Sequence, residues 1–149
     1  MADIKYNVRV TRIIDGDTIT ADLLNISNSL FFNIISEGPI TLINQKIRLF
    51  GILAPEIFGK EKLLGYRSKN YLSYLLKDQQ TNIEIHSRHF EKYGRILATL
   101  YITGYSTPDI NVNELMISEK YALPALYIRG KFVQTNPNYN SLVHQFPFR

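Results

Sequence analysis

Neither cysteine nor tryptophan occurs in this chain of 149 residues. The first absence excludes disulfides and thiolate metal sites, so any metal centre must be built from oxygen or imidazole ligands. No apolar run approaches the roughly 18 residues that a membrane helix needs, which argues against a membrane role. The N-terminal stretch lacks a basic segment followed by an apolar one, so an intracellular, cytoplasmic location is expected. Charge of one sign is also scarce in excess: 17 Lys and Arg stand against 13 Asp and Glu, a net charge of +4. Such a balance is compatible with a polyanionic partner without demanding one. Hydrophobic residues make up 45% and charged residues 20%, ordinary proportions for one compact domain.

Periodicity predicts the elements. Residues 5–14 alternate in the manner of a half-buried strand, and Asp15-Gly16 turns the chain into a second strand from Thr18 to Leu24. Leu30 to Ser36 reads as a further strand, with loops at 25–29 and at Glu37-Gly38-Pro39. Ile40 to Gly51 is strand-like, with an interruption near Asn44, and Pro55 ends it. From Lys60 the period becomes helical: Leu64, Ser68, Tyr71, Leu72, Leu75 and Leu76 share one face of a helix over 60–77. Strands follow at Thr81–Ser87 and Ile96–Thr103. Asn111 with Glu114 forms a capping box that opens a short helix to about Tyr121. This order predicts an α+β fold: a five-stranded, antiparallel, Greek-key barrel of the oligonucleotide-binding type with two or three helices packed outside. Residues 1–130 form that domain, with an extended hairpin insert at about 24–45. Residues 131–149 are expected to be an irregular tail.

Three segments carry chemistry: Ile14-Asp15-Gly16-Asp17-Thr18, Arg48-Leu-Phe-Gly-Ile-Leu-Ala-Pro-Glu56 and Lys92-Tyr93-Gly94-Arg95. Together they supply acidic and basic groups of the kind needed for metal-assisted attack on a phosphodiester. Guanidinium groups match a phosphate through paired donors, and phosphoryl transfer relies mainly on positioning and charge stabilisation. The histidines at 86, 89 and 144 lack helical metal-ligand spacing and read as surface residues. Ten tyrosines and eight phenylalanines are present; Phe90, Tyr93 and Tyr127 sit beside basic residues, an arrangement suited to base stacking or to covering the core's edge.

These motifs in this order, with Val112-Asn-Glu-Leu115 after them, resemble the staphylococcal nuclease (thermonuclease-like) family from about Thr11 to Ala122. The resemblance implies a calcium-dependent hydrolase of DNA and RNA on an oligonucleotide-binding barrel. It makes Asp17 a metal ligand with Asp15 in support, Glu56 the residue that positions or activates water, and Arg48 and Arg95 the phosphate-binding pair. Lys92 and Tyr93 would lie along the bound strand; Tyr127 is a nucleic-acid-binding candidate only by its place beside basic residues. Two departures stand out: Leu53 falls where the family has its second metal-ligating aspartate, and the stretch between Thr18 and Arg48 is longer than usual. Loss of one charged ligand costs about 1.5–3 kcal/mol, roughly ten- to hundredfold in metal affinity. Magnesium or manganese could then substitute for calcium, since magnesium needs fewer protein ligands. Two functional readings stay open. One is a phosphodiesterase of endonuclease type, low in sequence specificity, acting on single-stranded or breathing DNA and on RNA. The other is a catalytically silent module that binds nucleic acid, a nucleotide or a partner protein, the last through residues 25–39 or the C-terminal tail.

Overall fold

The computed structural model describes residues 4–26, 38–77, 82–90, 94–104 and 107–134, with the side chains of 88–90 outside that description. The expected strand at Leu30–Ser36, most of the insert, Lys92, Tyr93 and the tail from 135 lie outside the described residues.

Strand β1 (Ile4–Asp15) and strand β2 (Thr18–Ile26) form the first hairpin, and β3 (Ile40–Leu49) runs antiparallel to β2. Their alternating residues Val8, Ile19, Ala21, Leu23 and Ile47 point into one core. The expected interruption at Asn44 is real. Asn44 has a φ of 52°, and the β2–β3 register shifts between Ala21 and Leu23. Asp22 holds that bulge by accepting the Asn44 N–H at 2.9 Å and pairing with Arg9 at 2.8 Å.

After the two-residue β4 (Ile52–Leu53) and a 3₁₀ turn at Gly59–Glu61, helix α1 (Lys62–Leu76) packs across β1 through Leu72 and Leu76. Strand β5 (Ile83–Phe90) pairs with β1 and with β6 (Ile96–Ile102). The barrel closes where β6 meets β3, and that seam is parallel: Ile47, Arg48 and Leu49 face Ile96, Leu97 and Ala98. The expectation of an all-antiparallel barrel is corrected there. Pairing of β3 with β6 joins two elements far apart in sequence, a choice that alternation within either strand does not encode.

A short β7 (Ile110–Asn111) leads into α2 (Val112–Ser118), where the Asn111 side chain accepts the Glu114 N–H at 3.1 Å, as the capping box predicts. The helix stops at Ser118 rather than near Tyr121. Strands β8 (Leu123–Ile128) and β9 (Lys131–Gln134) then form a hairpin on β4. Lys131–Gln134 therefore belong to a strand and not to an irregular tail. Asn113, buried on α2, ties the parts together: its amide donates to the Phe50 carbonyl at 2.8 Å and accepts the Leu100 N–H at 3.0 Å. Among the described residues no helix is long and apolar enough to cross a membrane.

Candidate active site

The β1–β2 turn, the end of β3 with the loop after it, and the start of β6 converge on one pocket. In the turn, the Asp15 carboxylate accepts the Asp17 N–H at 3.0 Å, an Asx-type closure. Gly16 is required by close approach: a Cβ there would fall 1.9 Å from the Ser68 hydroxyl oxygen and 2.8 Å from the Ala54 Cβ. Helix α1 thus leans directly on the turn. The Asp17 side chain is 6% exposed. One of its oxygens accepts the Ala54 N–H at 2.7 Å and the other accepts the Thr18 hydroxyl at 3.1 Å.

Arg48 lies opposite Thr18 in the β2–β3 register and is 5% exposed. Its guanidinium donates to the carbonyls of Leu49 at 2.6 Å and Ile52 at 2.9 Å, and meets the Asp17 carboxylate at 3.3 Å. The Phe132 ring covers it at 4.3 Å from the centroid. Burial lowers the Arg48 proton affinity, opposed by the carboxylates of Asp17, Asp15 and Glu56 and reinforced by Arg95. These effects place four charged groups within electrostatic reach of Arg48. Arg95 arrives there because β6 begins one residue later, alongside Ile47 at the parallel seam.

Glu56 stands exposed at the rim, but its backbone is fixed. Its N–H donates to the Glu61 carboxylate at 3.2 Å, and a Cβ at Gly65 would fall 2.0 Å from its carbonyl oxygen. Helix α1 therefore touches both acidic segments, one through Ser68 and one through Gly65. Leu53 is half-buried between Ile52, whose carbonyl binds Arg48, and Ala54, whose N–H binds Asp17.

Burial raises the Asp17 pKa to about 7, and Asp15 pushes it the same way; Arg48 and the Ala54 N–H oppose them. Asp17, kept from ionising by burial and by its neighbour Asp15, belongs to a donor set that a cation would relieve. The set is small. Among the described residues no three His, Asp or Glu side chains gather closely enough to hold an ion. Calcium takes six to eight oxygens, whereas magnesium keeps several waters and is content with one or two carboxylates plus substrate phosphate. The described carboxylates fall short of a calcium cage, and a hydrated magnesium-like ion makes the smaller demand.

Of the residues singled out from sequence, Asp15, Asp17, Arg48, Glu56 and Arg95 come together, and Lys92 and Tyr93 fall outside the described residues. Tyr127 is half-buried in an aromatic cluster with Phe50 and Phe132, ring centroids at 6.1 and 4.8 Å. Sequence reading missed Phe50 and Phe132. The Arg129-Gly130 turn between alternating segments was the signal that could have brought Phe132 beside Arg48. His86, expected on the surface, is half-buried; it pairs with Glu84 and lies against the Tyr101 ring, tilted by 32° with centroids 4.2 Å apart.

Residues 46–145 match the family model described as staphylococcal nuclease homologue, a span that includes Arg48, Leu53, Glu56 and Arg95. The thermonuclease of Staphylococcus intermedius is 27% identical over 139 residues, covering 91% of this chain and 66% of that protein. The chain thus spans just under two thirds of that relative's length. With the family match over most of its length and a closed barrel carrying the charged pocket at its seam, this chain belongs to the staphylococcal nuclease homologue family.

Proposed function

We propose that this domain hydrolyses phosphodiester bonds of single-stranded or breathing DNA and of RNA, with little sequence preference. The observation that supports the reading is the electrostatic influence of Asp15, Asp17, Glu56 and Arg95, drawn from three separate segments, on the buried Arg48. Their division of labour follows from burial. Arg95, at the pocket edge, grips the scissile phosphate. Arg48, with its Nη protons held by the Leu49 and Ile52 carbonyls, supplies a fixed positive floor beneath it. Exposed Glu56 accepts a proton from the attacking water as the new oxygen–phosphorus bond forms and the leaving oxygen departs. Asp17, supported by Asp15, would hold a hydrated magnesium or manganese ion, which when bound would neutralise phosphate charge and lower the pKa of water. Phe50, Tyr127 and Phe132 offer faces on which bases can stack, and stacking reads little sequence.

The Asp17–Arg48 contact together with Leu53 favours a second reading, a module that holds nucleic acid without cutting it. End-labelled single-stranded DNA incubated with magnesium, manganese, calcium or EDTA separates the two. Hydrolysis with magnesium or manganese, weak with calcium and lost in Glu56→Gln, is the expected result. Intact DNA in every lane, with binding retained, establishes the non-cutting module.

A further inference from the structure

The outer face of α1 carries a charge pattern that the pocket does not use. Residues 62–77 contain four cations (Lys62, Arg67, Lys69 and Lys77) and no acid. That equals the net excess of the whole chain, since the other thirteen cations balance its thirteen acids. Among the described residues no acid pairs with Lys62, Lys69 or Lys77. Lys62 even stands in the first turn, at the positive end of the helix dipole, where a cation opposes helix stability.

Between these cations runs a stripe of large exposed side chains at helical spacing. Leu63 is 58% exposed, Tyr66 41% and Tyr74 72%. Lys69 places its ammonium 5.7 Å from the Tyr66 ring centroid, so the ring is already polarised by a cation. From Leu63 to Tyr74 the stripe is about 16 Å long at a rise of about 1.5 Å per residue. Its N-terminal end adjoins the pocket: Gly65 rests on the Glu56 carbonyl, and Glu61, the residue before α1, binds the Glu56 N–H. Lysines without an acidic partner among the described residues, alternating with exposed aromatic faces and continuous with a phosphodiester pocket, match the chemistry of a single-stranded polyanion bearing bases.

We infer that α1 is an extended binding track for the single strand leaving the pocket: Lys62, Lys69 and Lys77 contact phosphates while Tyr66 and Tyr74 stack on bases. The inference rests on the nucleic-acid reading of the pocket and extends it. Its consequence is a dependence on substrate length that the pocket alone does not produce.

The test uses fluorescein-labelled oligothymidylates of about 4 and about 16 nucleotides, bracketing the site sizes of such grooves. Anisotropy titrations in the Glu56→Gln background compare the parent, Lys69→Glu/Lys77→Glu, Tyr66→Ala/Tyr74→Ala and Arg95→Ala. Both helix variants are expected to weaken the longer oligomer about tenfold or more and to leave the shorter one within twofold. Charge reversal should also reduce the salt slope of the longer oligomer by about 1.4, or about 0.7 per phosphate contact. Equal affinity of parent and helix variants for the longer oligomer overturns the track and leaves the pocket reading intact. Loss of the longer oligomer in the helix variants but not in Arg95→Ala, with no binding of the shorter one, supports the track and overturns the pocket reading. Phosphatidylserine vesicles serve as a second probe: Lys69- and Lys77-dependent vesicle binding with unchanged oligomer affinity also overturns the track. All four substituted positions are exposed or half-exposed, and matching melting temperatures confirm that the fold survives.

Discussion

Asp17 and Arg48 lie almost wholly out of solvent, each held by backbone groups of opposite polarity, whereas at the edge of the same pocket Glu56 is exposed and Arg95 half-buried. The floor is therefore fixed by folding and its charges depend on one another for stability. The rim lies nearer to solvent, and under the proposed function its charges matter to chemistry far more than to the fold. Substitutions in the two places should leave different signatures.

The largest effect belongs to the floor. Arg48→Ala removes the partner of a buried carboxylate and orphans two carbonyls, so urea denaturation should show a loss of about 3–5 kcal/mol. Glu56→Gln should change stability by no more than about 0.5 kcal/mol while lowering the hydrolysis rate at least about 100-fold. Equal stability losses in the two variants would erase the distinction between floor and rim.

Leu53→Asp sharpens it from the other side by adding a carboxylate beside Ala54. Calorimetry should then record calcium binding at least about tenfold tighter than in the parent, in line with about 1.5–3 kcal/mol for a charged ligand. Unchanged calcium affinity would show that Leu53 is not what limits the site.

Proton linkage supplies a subtler test. Asp17 has a pKa of about 7 in the folded chain against an ordinary 3.8, so the folded state binds the extra proton. The stability this group contributes is fully present below pH 3.8 and is lost as pH rises through 7. In EDTA the melting temperature should therefore carry a downward component between pH 5 and 7.5, which Asp17→Asn abolishes. Magnesium should shrink that component, because the ion binds the ionised carboxylate and replaces the proton. An identical pH profile in parent and Asp17→Asn would contradict the assignment. The smallest effect is expected from Thr18→Val, which removes one hydrogen bond to Asp17 and should cost about 0.5–1.5 kcal/mol.

Much of this architecture is legible in the chain because it is locally encoded. Alternation marks β1, β2, β5 and β6; the shift to a helical period marks α1; Asn111 and Glu114 mark the start of α2. What sequence reading does not reach is non-local. Nothing in Ile47-Arg48-Leu49 announces a parallel partner at Ile96–Ala98, and nothing near Arg48 announces Phe132 above it. The small sheet of β4, β8 and β9 is hidden because its strands are short and the last adjoins a segment rich in asparagine and proline. The charged pocket is half legible: Asp15-Gly16-Asp17 closes its own turn, while the approach of Arg95 to Arg48 follows only from the resemblance and the seam. The close contacts of α1 at Gly16 and Gly65 explain why those glycines stand where a helix and a turn would otherwise demand nothing of them.

The parallel seam between β3 and β6 has a kinetic consequence. Arg48 and Arg95 become neighbours only when two strands nearly fifty positions apart zip together, a contact whose loop-closure cost delays it behind the local hairpins. The two arginines are thus brought together by the step that seals the barrel. A refolding chain with its hairpins and helices formed but its seam open would look structured by circular dichroism and be unable to hold a phosphodiester. Under the proposed function, recovery of nucleic-acid binding during refolding then serves as a clock for barrel closure itself.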